Sequence, residues 1–242
     1  MNAPLDSIEV LERRLGIVDA ELWIVGPPEM SGRLAGPKTR YASTIEVPFY
    51  LQKIPNPAAP PGAQRVLIPE PSLWSPETPY LYEAKLDLGG AGKVRFNLGL
   101  RRLAWTREDF RVNGATIELK AEQRTTLSEA NGLALRQAGI NVVFVPVSQS
   151  GAWDVADRVG LFVIGEVGRQ FDLALRLRRH PSVLGWMIDP RIPSKEALAF
   201  KNAAGGFLGL CTSPAEVPPP WIDFVVAAEP QRIRHVQIGR NA

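Results

Sequence analysis

Short apolar or alternating runs, broken by proline and glycine, fill the chain from Ser7 to about Val112. One run begins at Ile8, Val10 and Leu11. A second, Gly16 to Val25, carries Ile17, Ala20, Leu22 and Ile24 at partial two-residue spacing. Such alternation marks a half-buried strand, and Pro27-Pro28 ends the run because proline cannot donate to a ladder. Residues 7–15 also fit a helix, since Ile8, Leu11 and Leu15 share a helical face; strand is the reading adopted. Further runs follow at Tyr41 to Tyr50, Gln64 to Ile68, Tyr80 to Leu88, Lys93 to Leu100 and Leu103 to Thr106. Gly89-Gly90-Ala91-Gly92 predicts a hairpin turn. Some seven short strands at this spacing predict an immunoglobulin-like β-sandwich over residues 1–112. Trp23, Trp74, Tyr80, Tyr82 and Phe96 are its expected large core residues. Trp74 is read as part of a packed corner, with an exposed sugar-stacking platform as the alternative.

After the turn dipeptide Asn113-Gly114 the rhythm changes. Apolar strands alternate with short helices: Thr116 to Ala121, a helix capped by Ser128 and stopped at Gly139, Asn141 to Val147, a helix from Trp153 to Val159 ended by Gly160, and Leu161 to Val167. A basic helix from Phe171 to Arg178 then leads to the strand Val183 to Ile188. A helix over 195–203 and strands at 207–211, 222–227 and 233–238 complete the pattern. This alternation predicts parallel strands buried on both faces. Eight-fold barrels usually take ~200 residues or more, and only 130 follow Val112. The expectation for residues 113–242 is therefore an incomplete TIM-barrel-like domain. Its open edge would need cover from a protein partner, a second copy or another part of the chain.

Composition narrows the function classes. Charged residues are 22% and hydrophobic ones 45% of the 242, as in a globular protein. The net charge of +3 comes from well-mixed residues with no basic stripe interleaved with aromatics, which argues against a nucleic-acid partner. Arg176, Arg178 and Arg179 form either a patch for an anionic partner or a solvated helix end. Cys211 is the only cysteine, and it is expected to be buried and inert. With two histidines, His180 and His235, and no His or Cys cluster, neither a metal nor a cofactor is expected. The N-terminal residues lack a secretory pattern and no apolar run reaches the roughly 20 residues of a membrane span. A cytoplasmic location is expected, and a peripheral subunit of a membrane complex would have the same features.

Several segments then resemble one family. Pro71-Ser72-Leu73-Trp74-Ser75-Pro76-Glu77-Thr78-Pro79-Tyr80-Leu81-Tyr82 resembles the LWSPExPYLY signature of glycoside hydrolase family 2, the β-galactosidase, β-mannosidase and β-glucuronidase group. Gly99-Leu100-Arg101 resembles its G-F-R and Phe110-Arg111-Val112-Asn113-Gly114 its F-x-x-N-G. Residues 135–141 (LRQAGIN) resemble K-x-x-G-x-N, residues 157–166 (DRVGLFVIGE) resemble D-E-x-G-L-x-V-x-x-E, and residues 179–186 (RHPSVLGW) resemble N-H-P-S-V-x-x-W. The six segments are collinear.

The departures carry as much information. The resemblance places a general acid/base Glu after the fourth barrel strand, where this chain has Asp189-Pro190. The first-strand G-x-N-x-H segment is replaced by residues 121–125 (AEQRT), and the second-strand Arg and His positions are lost. The nucleophile position falls near residues 235–240 (HVQIGR), which contain no carboxylate.

The surviving strand-end carboxylates, Glu166 and Asp189, are candidates for a displaced acid and nucleophile. The alternatives are hydrogen bonding or ion pairing for Glu166 and a turn cap on Arg191 for Asp189. Trp186 and Trp153 are candidate sugar platforms, with core packing as the alternative. His180 is expected to brace a loop, and Asp154 and Asp157 to lie on a solvated helix face. Three functions remain open: a non-catalytic scaffold or interaction subunit, which is the reading adopted, a carbohydrate-binding module, and a retaining glycosidase with relocated carboxylates.

Overall fold

A computed structural model of the chain describes residues 7–56, 58–106, 109–211, 218–226 and 233–235. Two compact units divide it, Met1–Arg101 and Arg102–Ala242.

Among its described residues the first unit holds eight strands: β1 (Glu9–Leu15), β2 (Asp19–Val25), β3 (Ser31–Lys38), β4 (Val47–Tyr50), β5 (Gln52–Lys53), β6 (Ala63–Pro69), β7 (Leu81–Asp87) and β8 (Lys93–Leu98). They form two antiparallel sheets, ordered β1-β2-β6-β5 and β4-β3-β7-β8. Two-residue alternation selects the buried face of each. Ala20, Leu22, Ile24, Val66 and Ile68 from one sheet meet Leu34, Ala84, Leu86, Val94 and Leu98 from the other in a single core. Residues 7–15 form a strand. The sequence pattern predicts neither the two-residue β5 nor β3, where Gly32, Gly36 and Pro37 interrupt the alternation. Gly32 is required there: its φ is 149° and a Cβ would stand 2.3 Å from the Lys85 carbonyl oxygen. Trp74 has no exposed surface, so the packed corner and not the sugar platform is its role. The Tyr82 hydroxyl accepts from the Ser72 N–H at 2.9 Å and the Leu100 carbonyl from the Trp74 N–H at 2.7 Å, so the proline-rich signature builds a corner.

In the second unit, β9 (Leu103–Trp105), β10 (Phe110–Val112) and β11 (Ala115–Thr116) make a small antiparallel sheet. A division at residue 112 would cut the β10–β11 hairpin, and the compact units separate at 101/102 instead. There follow β12 (Ala121–Gln123), α1 (Glu129–Gln137), β13 (Val142–Pro146), α2 (Ser150–Val159), β14 (Phe162–Gly168), α3 (Phe171–Leu177), β15 (Val183–Ile188), α4 (Ser194–Ala204), β16 (Phe207–Cys211), β17 (Phe224–Val226) and β18 (Ile233–His235). Strands β12 to β18 form one curled sheet in chain order, resembling half a barrel.

Neighbours from β12 to β17 are parallel, but β18 is antiparallel to β17. The correction to an all-parallel sheet has a simple cause. Six residues join Val226 to Ile233, whereas a parallel crossover needs about a dozen. Residues 116–121 are likewise not one strand. Asn141 holds that segment through its side chain, accepting from the Lys120 N–H at 2.8 Å and donating to the Glu118 carbonyl at 2.8 Å.

The helices begin and end where local chemistry directs. Ser128 and Asn131 satisfy each other's backbone N–H groups in a capping box at the start of α1. Gly160 stops α2 in the left-handed conformation, at φ 80°. Val143, Val145, Val163, Val167, Leu208 and Leu210 point to the face covered by α1–α4. The opposite face carries Phe162, Phe207 and Phe224, and the small sheet fills it. Trp105 lies 5.1 Å from Phe207 and stacks on Phe224 at 5.9 Å, while Phe110 meets Phe162 edge-on at 5.8 Å. The chain thus supplies its own cover for the inner face. What remains open among the described residues is the outer edges of β12 and β18.

Candidate functional site at the strand ends

The C-terminal ends of the parallel strands gather Gln123 from β12, Pro146 from β13, Glu166 from β14, Asp189 just beyond β15 and Cys211 from β16. Glu166 stands on the inner face, in register with Pro146 and Met187. Its Oε1 accepts a 3.0 Å hydrogen bond from Gln123 Nε2. Burial pushes the Glu166 carboxyl above its ordinary value, and the Gln123 bond pulls the other way by less. This is hydrogen bonding without a salt bridge.

Asp189 is the opposite case. Arg191 clamps both of its oxygens: the backbone N–H and Nε reach Oδ1 at 2.9 Å each, and a terminal guanidinium nitrogen reaches Oδ2 at 2.7 Å. The Arg191 side-chain bonds, then its backbone bond, hold the Asp189 carboxyl at about 2. Asp189 therefore caps the Arg191 turn, as the turn reading expects. It is permanently ionised at neutral pH and cannot donate a proton. Pro190, next in the chain, is exposed and offers no ionisable group.

Trp186 and Trp153 lie elsewhere. Both are fully buried among the helices, 5.6 Å apart, with Gly165 pressed between them so closely that a Cβ would fall 2.7 Å from the Trp186 ring. Stacking on a sugar needs an accessible ring face, and neither has one. Cys211 is exposed, not buried, because it is the last residue of β16. Arg178 and Arg179 donate to the carbonyls of Ala203 and Arg176, so they serve as helix-end donors.

The other end of the sheet holds a buried polar cluster. Asp157, on α2, is 1% exposed, and this corrects its expected place on a solvated face. Its Oδ2 lies 2.7 Å from His180 Nδ1, and its Oδ1 accepts the Ser182 N–H at 3.0 Å. A carboxylate oxygen accepts, and an imidazole in this pairing donates from Nδ1. Asp, His and Ser together suggest nucleophilic catalysis, but the connectivity is wrong for it. The serine contributes its backbone N–H, and its buried Oγ has no partner. The group braces the turn that enters β15, as expected for His180. Asp154 brings a third donor atom within 4.8 Å, from an exposed position. β15 has six residues, so this brace lies ~20 Å from the strand-end carboxylates.

The profile of Glycosyl hydrolases family 2 matches residues 40–101. A Formosa agariphila protein named "Putative beta-glucuronidase" is 28% identical over 172 residues, which is 54% of this chain and 16% of that protein. The chain is a relative of glycoside hydrolase family 2. Solved structures share the fold of this family 2 relative. A β-D-glucuronidase for Dictyoglomus thermophilum superposes over 91% of the chain and 46% of its own, with TM-score 0.64 and 14% identity. A β-glycosidase from Bacteroides vulgatus superposes over 93% of the chain and 35% of its own, with TM-score 0.65 and 14% identity. The chain spans less than half the length of each of these three proteins. No helix among the described residues is long and apolar enough to cross a membrane.

A pH measurement tests the Glu166 environment in this family 2 relative. The folded state holds the Glu166 proton more tightly than the unfolded chain does. Stability should therefore fall as pH rises from the ordinary value of 4.5 through the raised folded value. Glu166→Gln should match the natural protein in urea midpoint below pH 4.5 and exceed it at neutral pH. Parallel curves across that range would refute the assignment.

Proposed function

We propose that this family 2 relative is a non-catalytic scaffold or interaction subunit, built as an immunoglobulin-like sandwich followed by an incomplete barrel. The observation that carries this reading is the Asp189-Pro190 pair. At the position where the resemblance implies a proton-donating Glu, the chain has an exposed proline beside a carboxylate locked by Arg191. A retaining glycosidase needs one carboxyl able to donate and a second ~5–5.5 Å away. A protein partner or a second copy would pair with the edge of β12.

The experiment is a paired one. The purified protein should give no turnover of chromogenic β-glucuronides, β-galactosides or β-mannosides above the buffer rate. The protein recovered from its native source should have the mass of an assembly larger than one chain. Turnover that disappears in Glu166→Gln overturns the non-catalytic part, and a lone monomer overturns the subunit part.

One observation favours a second reading, a glycosidase with relocated carboxylates. Glu166 is raised and Asp189 lowered, and an acid and a nucleophile are separated in that way. Against it, both Asp189 oxygens are engaged by Arg191.

A further inference from the structure

The outward face of the sheet β4-β3-β7-β8 carries an unusual row. Tyr50 on β4 stands opposite Arg33 on β3, Arg33 opposite Lys85 on β7, and Lys85 opposite Arg95 on β8. All four side chains point away from the core, since their neighbours Leu34, Ala84, Leu86 and Val94 point into it. Three cations in direct cross-strand opposition repel one another and weaken the sheet. Lys85 is relieved by Glu83, 2.9 Å away. Among the described residues Arg33 and Arg95 have no acidic partner, and both are exposed. Tyr50 is 59% exposed at the end of the row.

We propose that this row binds a linear acidic polysaccharide carrying a carboxylate on alternate sugars. Three properties of the row select that occupant. The two free guanidinium groups sit two strands apart, about 9–10 Å at the roughly 4.8 Å strand spacing, so they match charges on every second unit of an extended chain. A guanidinium fork meets a planar carboxylate bidentately. Tyr50 supplies one flat face in line with the cations, suited to a sugar ring. Single-stranded nucleic acid fits less well, because it needs a charge site for every nucleotide and a succession of stacking rings. The proposal goes beyond the scaffold reading and does not depend on what the strand-end carboxylates of the second unit do.

Hyaluronan oligosaccharides provide the probe, since their carboxylates fall on alternate sugars. Calorimetry on the full chain should detect binding that strengthens as salt is lowered. Arg33→Gln combined with Arg95→Gln should weaken it at least tenfold, while Lys195→Gln, on exposed α4 surface, leaves it unchanged. The double variant relieves like-charge repulsion, so its melting temperature should not fall, and lost binding cannot be blamed on unfolding. Carboxyl-reduced hyaluronan should not bind. No binding by the natural chain, equal binding by the double variant, binding of the reduced polymer, or tighter binding of oligo-dT each overturns the proposal.

Discussion

Asp157→Ala should lower the stability of the second unit by roughly 2–6 kcal/mol, about 1–3 kcal/mol for each of two buried donors left without an acceptor. Two losses coincide. His180 Nδ1 loses its acceptor at a site where the residue is 8% exposed, and the Ser182 N–H loses its acceptor where the residue has no exposure at all. A buried donor without a partner retains its full desolvation cost. The replacement also leaves a gap beside Trp153, whose ring centre is 6.2 Å from that of His180. Folded domains have only about 5–15 kcal/mol in hand, so the variant should unfold at a much lower urea concentration. Asp157→Asn, which can still accept the Ser182 N–H, should lose distinctly less. If the two substitutions shift the urea midpoint equally, the brace is not what holds the turn.

Phe110→Ala should cost about 3–5 kcal/mol, through a different mechanism. Phe110 is 4% exposed and touches Trp105, Phe162 and Phe207, so its ring joins the small sheet to the inner face of the curled one. Truncation would leave a cavity lined by aromatic rings, and it would loosen the only cover found over that face among the described residues. The expected signs are a lower urea midpoint and increased binding of a dye that reports exposed apolar surface. Phe110→Leu should recover much of the loss. An unchanged midpoint in Phe110→Ala would show that the inner face does not rely on this plug.

Local chemistry was legible in the sequence. Ser128, Gly139 and Gly160 marked the helix ends, the run Asn141 to Val147 foretold β13, and Leu161 to Val167 foretold β14. Each signal lies within a few residues of its effect. The segment from Arg179 to Trp186 pointed to the family and to a strand, and both hold. What escaped depends on distant partners. Asp157 sits between Ala156 and Arg158 and reads as surface, until His180, 23 residues later, reaches it. Trp105 reads as a member of an ordinary short strand and Phe110 only as part of a family-like segment, because nothing nearby announces Phe207 and Phe224. β3 carries no such signal because its close approach to β7 demands the glycine that erases its pattern. At the strand ends, residue types showed where the chain departs from the family pattern, and only the geometry showed Arg191 holding Asp189.

The ~20 Å that separates the Asp157–His180 brace from Glu166 and Asp189 has a consequence for engineering. Substitutions that far apart, with no shared neighbours, should add in their effects on folding. The strand ends can therefore be rewritten, new carboxylates at Pro190 and Cys211 included, without spending the stability held at the other end of the same strands.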